Sequence, residues 1–138
     1  MIEIKGKTIV DKTTLNRMIA HASNLRPAMG LVGEIVYNSI LDNFKSGGRP
    51  SRWKPLAPAT IKQRIKIHKW PGLILVRRGM SGGLMGSISY RPSAKKVVLS
   101  ANKEYAEGQN RVRPFMLVQK NDWADIVKEV QNFIVGEK

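Results

Sequence analysis

One stretch of this chain constrains the fold more than any other. Residues 28–44 repeat apolar side chains at helical spacing and then run into Gly47-Gly48. Leu31, Ile35 and Leu41 fall near one stripe, and Val32, Val36, Ile40 and Phe44 form a neighbouring one. Apolar residues three and four apart share one side of a helix, so the pattern predicts a long helix with a broad buried face. Glycine adopts the left-handed conformation at a helix end at little cost, so the Gly pair predicts the stop.

The flanks read less regularly. Residues 2–10 (IEIKGKTIV) alternate with period two and predict a strand, or a hairpin turning at Gly6. Asp11 or Thr13 can cap a helix whose face carries Leu15, Met18, Ile19 and Ala22. Pro27 either kinks one long helix or starts a second. Residues 45–72 hold four prolines and three glycines among many Lys and Arg. So many breakers predict a mostly extended segment with a short helix at 59–67 that Thr60 helps to cap. Residues 73–78 (LILVRR), 87–91 and 95–101 read as strands, and 105–113 reads as a polar loop. A short apolar run, PFMLV, spans 114–118. Asp122 is positioned to cap a last helix, with Asp125 three residues on as the acid of a capping box. Ile126, Val130, Phe133 and Ile134 give that helix its apolar face.

Charge is distributed unevenly. Residues 1–42 carry five Lys/Arg and four acids, residues 104–138 carry five and six, and residues 43–103 carry fourteen Lys/Arg and no acid. The net charge of +14 therefore sits in the middle of the chain. Such a surface attracts polyanions or acidic proteins and speeds encounter with them. The cations singled out as a partner- or polyanion-binding set are Arg49, Arg52, Lys54, Lys62, Arg64, Lys66, Lys69, Arg77 and Arg78, with Trp53 and Trp70 among them. The two tryptophans have three uses open to them: stacking on bases, forming an interface, or pinning the basic segment to the body.

Other chemistry finds little footing. There is no cysteine, which excludes disulfides, thiolate metal sites and a cysteine nucleophile. His21 and His68 have no neighbours at metal-ligand spacing. Glu104 and Glu107 flank Tyr105, but nothing nearby tunes them as an acid–base pair. GMSGGLMGS (79–87) lacks the Gly-Lys-Ser/Thr that ends a phosphate loop. No apolar run reaches the roughly 18 residues that span a bilayer, and the N-terminus does not read as a signal peptide. The expectation is a non-enzymatic, soluble protein with no cofactor, no metal and no small-molecule substrate.

The motifs in order resemble a known family. A long helix ending at Phe44 precedes Trp53-Lys-Pro55-Leu56, Thr60-Ile61, Ile74-Leu75 and Gly79, then Ser87-Ile88, Tyr105-Ala106 and Arg113-Pro114-Phe115. This pattern is similar to the phage virion morphogenesis family, the Mu-like tail completion proteins. The chain departs from it at Glu107-Gly108-Gln109-Asn110, where the family carries His-Gln-Phe-Gly, and by an extra Ser-Gly-Gly after Gly79. The resemblance implies a structural protein that finishes the phage tail and helps it join the DNA-filled head. It implies several copies in a ring, other virion proteins as partners, nonspecific DNA contact at most, and residence in the host cytoplasm before the virion. A small basic nucleic-acid-binding module is the alternative that the charge supports.

The expected architecture is a single α+β domain over 1–138. A long N-terminal helix and a C-terminal helix pack on a small antiparallel sheet near 74–78, 86–91, 95–101 and 114–119, and the basic loop 45–72 protrudes. The expected core is Leu31, Ile35, Leu41, Phe44, Val97, Leu99, Phe115, Ile126, Val130 and Phe133.

Overall fold

The computed structural model describes residues 3–4, 7–8, 12–68, 70–76 and 83–136. The protein is α+β. A short antiparallel ladder pairs β1 (Glu3–Ile4) with β2 (Lys7–Thr8). Helices α1 (Lys12–Ser23) and α2 (Arg26–Ser46) follow, then α3 (Pro58–Lys66) and the single turn α4 (Gly83–Gly86). An antiparallel hairpin of β3 (Ile88–Pro92) and β4 (Val97–Ala101) precedes α5 (Ala106–Val112) and α6 (Lys120–Val135).

α2 is the spine. Pro27 sits in its first turn, where the missing N–H costs nothing, so the proline opens a second helix. Gly47 ends the helix at φ 78°, with its N–H on the carbonyls of Asn43 and Phe44. Gly48 has a different task. Its φ is 114°, and a Cβ there would lie 2.7 Å from both Cδ1 and the backbone N of Trp53. The helix stop is thus also the seat of Trp53, and only glycine fits.

The buried stripe of α2 is Val32, Val36, Ile40 and Phe44, with Ala28 and Met29 in the first turn. Ile35 and Leu41 are half-buried beside it, while Leu31 is 47% exposed and lies outside the core. Both stripes were legible as helical; which one faces inward depends on partners far away in sequence. Those partners are α6 along one flank and β3 and β4 along the other. Phe115 and Ile126 are buried as expected, and Val97, Leu99 and Val130 pack half-buried against the core. Phe133 is half-buried and stacks on His21, ring centroids 5.1 Å apart, where α1 lies on α6. Ile19 and Ala22 of α1 are exposed, so the expected apolar face of α1 is only partly used.

Four expected elements differ. Residues 73–76 form a turn, and Arg77 and Arg78 lie outside the described residues. The carbonyls of Leu73 and Ile74 are taken by the Arg64 guanidinium at 2.9 and 2.7 Å, not by a neighbouring strand. Residues 114–119 are not a strand either. The Phe115 and Leu117 carbonyls accept from Asn43 Nδ2, and the Phe115 and Met116 N–H groups donate to Asn110 Oδ1. Two asparagine side chains thereby satisfy a backbone that a sheet would otherwise have to satisfy. The described strands thus form two two-stranded ladders, and the expected four-stranded sheet is not formed. Residues 106–112, expected as loop, are helical. The last helix starts earlier than expected: Asp122 is its third residue, and its carboxylate accepts the Gln119 N–H at 2.9 Å. The capping box is Gln119 with Asp122, without Asp125.

The packing of α2 on the hairpin is tight at Gly33. A Cβ there would lie 2.4 Å from Tyr90 Cδ2 and 3.0 Å from Val97 Cγ2. Alanine usually favours a helix interior over glycine by about 1 kcal/mol. Here overpacking wins, and Gly33→Val is expected to destabilise the protein by about 2–3 kcal/mol. A denaturant midpoint measures it; a midpoint equal to wild type would show that the hairpin does not seat on α2 as described.

Candidate functional site

The basic segment leaves α2 at Gly47 and is tied down at three points. Arg49 donates from Nε to Asn43 Oδ1 at 2.9 Å and from Nη2 to the Ser39 carbonyl at 2.7 Å and Ser39 Oγ at 2.9 Å. Trp53 is buried, stands edge-on to Phe44 with centroids 5.9 Å apart, and donates Nε1–H to the Pro114 carbonyl at 2.8 Å. Anchoring is therefore the use the structure gives Trp53. Arg64, on the inner face of α3, is buried and holds the turn at 73–76. Arg49 and Arg64 were expected to face partners, and for Trp53 pinning the segment was one of the open uses; in the fold the polar groups of all three serve the structure. Burying a guanidinium without partners would be costly, and carbonyls at loop ends supply them.

Arg113 adds a fourth tie that the pattern of cations did not single out. It donates from Nε to the Lys54 carbonyl at 2.8 Å and from Nη2 to the Pro55 carbonyl at 2.9 Å. The only sequence signal was its place in the Arg-Pro-Phe motif.

The remaining predicted cations divide cleanly. Arg52, Lys54, Lys62 and Lys66 are exposed, and Trp70 is half-buried. Lys69, Arg77 and Arg78 fall outside the described residues. Of the predicted set, Arg52, Lys54 and the outer face of α3 are thus the accessible cations among the described residues. Between α3, the turn at 73–76 and α5 lies a cleft of about 740 Å³, whose walls include Thr60, Gln63, Leu75, Lys103, Tyr105 and Arg113. It mixes cations, amides and apolar surface, with Glu104 at its rim. Glu107 instead pairs with Arg111 along the exposed side of α5 at 3.5 Å. His21 lies against Phe133 with Nδ1 3.3 Å from the Ile134 carbonyl, which gives it a structural role. Among the described residues no group of His, Asp and Glu is placed to hold a metal ion, and no helix is long and apolar enough to cross a membrane.

Under the tied segment lies a buried polar hub. Asn43 is fully buried, donates to the carbonyls of Phe115 at 2.8 Å and Leu117 at 3.1 Å, and accepts from Arg49 Nε and Gln119 Nε2. Gln119 Nε2 also donates to the Arg49 carbonyl at 3.2 Å. Ser39 donates to the Asp122 carboxylate, so a hydroxyl bridges Arg49 and Asp122. The hub joins α2, the start of the basic segment and the start of α6.

No curated protein and no solved structure matches the chain. The model of the phage virion morphogenesis family matches residues 8–108. That stretch runs from the N-terminal ladder through the helical spine, the tied basic segment and the hairpin to the start of α5. With well over half its length matched, and with Trp53, Pro55, Leu56, Thr60 and Ile61 inside the match, the chain belongs to the phage virion morphogenesis family.

Proposed function

We propose that this protein completes the phage tail and joins it to the DNA-filled head, acting at the neck as a ring of several copies. The observation that carries this reading is the family match over residues 8–108, which makes the protein a structural phage component that works among other virion proteins. The order of motifs from Trp53 to Tyr105-Ala106 supports the finer assignment to tail completion. The exposed cations Arg52, Lys54, Lys62 and Lys66 suit contact with acidic virion surfaces, or with DNA in passing.

Electron microscopy of lysates from phage lacking this gene tests the reading. Full heads beside unattached tails, or tails of abnormal length, are the expected result. Normal infectious particles would overturn it.

The charge also supports a nucleic-acid-binding module, and one variant separates the two. Replacing Arg52, Lys54, Lys62 and Lys66 together by glutamine should leave the fold intact, because none of these side chains takes part in the hub or the ties. It should lower the yield of joined particles. A nucleic-acid module would instead bind DNA tightly, with log affinity falling by about 0.9 per phosphate contact per unit of log salt, and the variant would lose up to four such contacts. Salt-titrated binding of wild type and variant to duplex DNA reads that slope.

A further inference from the structure

Several of the few acids gather along one seam. α2 and α6 pack side by side, and the outer edge of their contact is a shallow groove of about 260 Å³ lined by Leu31, Glu34, Ile35, Asn38 and Glu129. Helical spacing extends the line. Positions 31, 35, 38 and 42 share a stripe on α2, and positions 125 and 129 share one on α6, so Asp42 and Asp125 continue the same edge. Among the described residues none of these four carboxylates forms an ion pair within its own chain. Leu31, 47% exposed, and half-buried Ile35 give the groove an apolar floor.

The outer face of α3 has the opposite character. With Arg64 turned inward, Lys62, Ile65 and Lys66 lie on the other side, and all three are exposed, Ile65 at 54%. Ile67, 43% exposed, follows at the end of the helix. An isoleucine set between lysines suits a groove whose leucine and isoleucine floor is edged by carboxylates. Helices dock into apolar grooves in this way, with flanking charge fixing the register. Within one copy α3 shares no extensive contact with α2 or α6. The groove lies along the middle of α2, and α3 follows its C-terminal end. From Ile35 to Gly47 the helix alone runs about 18 Å.

We propose that the α2–α6 seam receives the α3 face of a second copy of this chain. The contact joins unlike surfaces, so it repeats from copy to copy and either closes as a ring or continues as a filament. It gives the ring in the proposed function a specific interface and rests on that reading for its setting. The test, on the purified chain, does not depend on tails or heads, so it can fail while the microscopy succeeds, and the reverse.

Sedimentation velocity of the full chain should show concentration-dependent self-association. Glu34→Lys/Glu129→Lys and Lys62→Glu/Lys66→Glu should each weaken it at least about tenfold, since like charges then meet across the contact. Mixing the two variants should restore association in equal proportions, because every seam then finds an α3 face of opposite charge. Circular dichroism checks that both are folded; if a charge-reversed seam unfolds, Glu34→Gln/Glu129→Gln takes its place, with a smaller but measurable loss expected, since it removes the attraction without adding repulsion. A wild-type chain that stays monomeric to its solubility limit would overturn the proposal. So would variants that associate like wild type, association carried only by added DNA, or a mixture that stays monomeric.

Discussion

Replacing Asn43 by alanine is expected to destabilise the protein by about 3–5 kcal/mol, a large share of the roughly 5–15 kcal/mol that holds a domain of this size folded. The side chain is fully buried and uses both ends of its amide. Its NH2 holds the Phe115 and Leu117 carbonyls, and its oxygen receives Arg49 and Gln119. Alanine removes all four bonds and leaves two carbonyls and two donors in a place water does not easily reach. Each buried group left without a partner costs about 1–3 kcal/mol. Asn43→Asp should cost at least as much, because a carboxylate oxygen would face the two carbonyls. Ser39→Ala should cost less, about 1–2 kcal/mol, since Asp122 keeps the Gln119 N–H and Arg49 keeps the Ser39 carbonyl. Urea unfolding of the three variants orders them. If Asn43→Ala fell within about 1 kcal/mol of wild type, the segment at 114–119 would be held by something other than this side chain.

That hub also explains which parts of the fold could be read from the sequence. α2 was legible because its signal is local: apolar spacing, a proline near the start and Gly47-Gly48 at the end. The hairpin was legible because residues 88–92 and 97–101 flank a turn at a spacing that permits only an antiparallel return. The run at 114–118 was misread as a strand because a strand's signal is apolar burial, and Phe115 is fully buried. What satisfies its backbone is Asn43, 72 residues away from Phe115, and Asn110. No window of sequence contains that pair. The turn at 73–76 was misread for the same reason, with Arg64 in the asparagines' role.

The site was legible as a charge and not as a geometry. Counting cations cannot separate Arg52, exposed, from Arg49 three residues earlier, whose guanidinium is spent on Ser39 and Asn43. Arginine makes that ambiguity common, because its planar fork of donors serves loop carbonyls as well as it serves phosphates. The family match survives the reassignment. Trp53 and Pro55, both inside that match, lie where the basic segment is fastened. The exposed cations Arg52 and Lys54 lie between the fastenings, at positions where local folding imposes little.

Trp53→Ala should have the other large effect, about 3–5 kcal/mol, because it empties a buried aromatic site beside Phe44 and frees the Pro114 carbonyl. Trp53→Phe separates the two contributions. It keeps a ring against Phe44 and loses the Nε1 bond and part of the volume, so the cost should fall to about 1–2 kcal/mol. Gly48→Ala should behave like a milder Trp53→Ala, since its Cβ would push on the Trp53 backbone 2.7 Å away and Gly48 already sits at φ 114°. Limited trypsin digestion adds a local readout. Arg52 and Lys54 flank the anchor and are exposed, yet the backbone around them is held by the Trp53 N–H on the Gly47 carbonyl at 2.8 Å and by Arg113 on the Lys54 carbonyl. Cleavage after Arg52, the only trypsin site here since Pro55 blocks the bond after Lys54, requires an extended, unfastened chain in the protease. It should therefore be slow in wild type, faster in Trp53→Phe and fastest in Trp53→Ala, at temperatures where all three remain folded by circular dichroism. Equal cleavage in all three would mean that Trp53 fills the core without holding the segment. In that case Arg49 and Arg113 would be the ties that matter, and Arg113→Lys, which cannot reproduce the two-pronged contact with the Lys54 and Pro55 carbonyls, would be the variant that releases it.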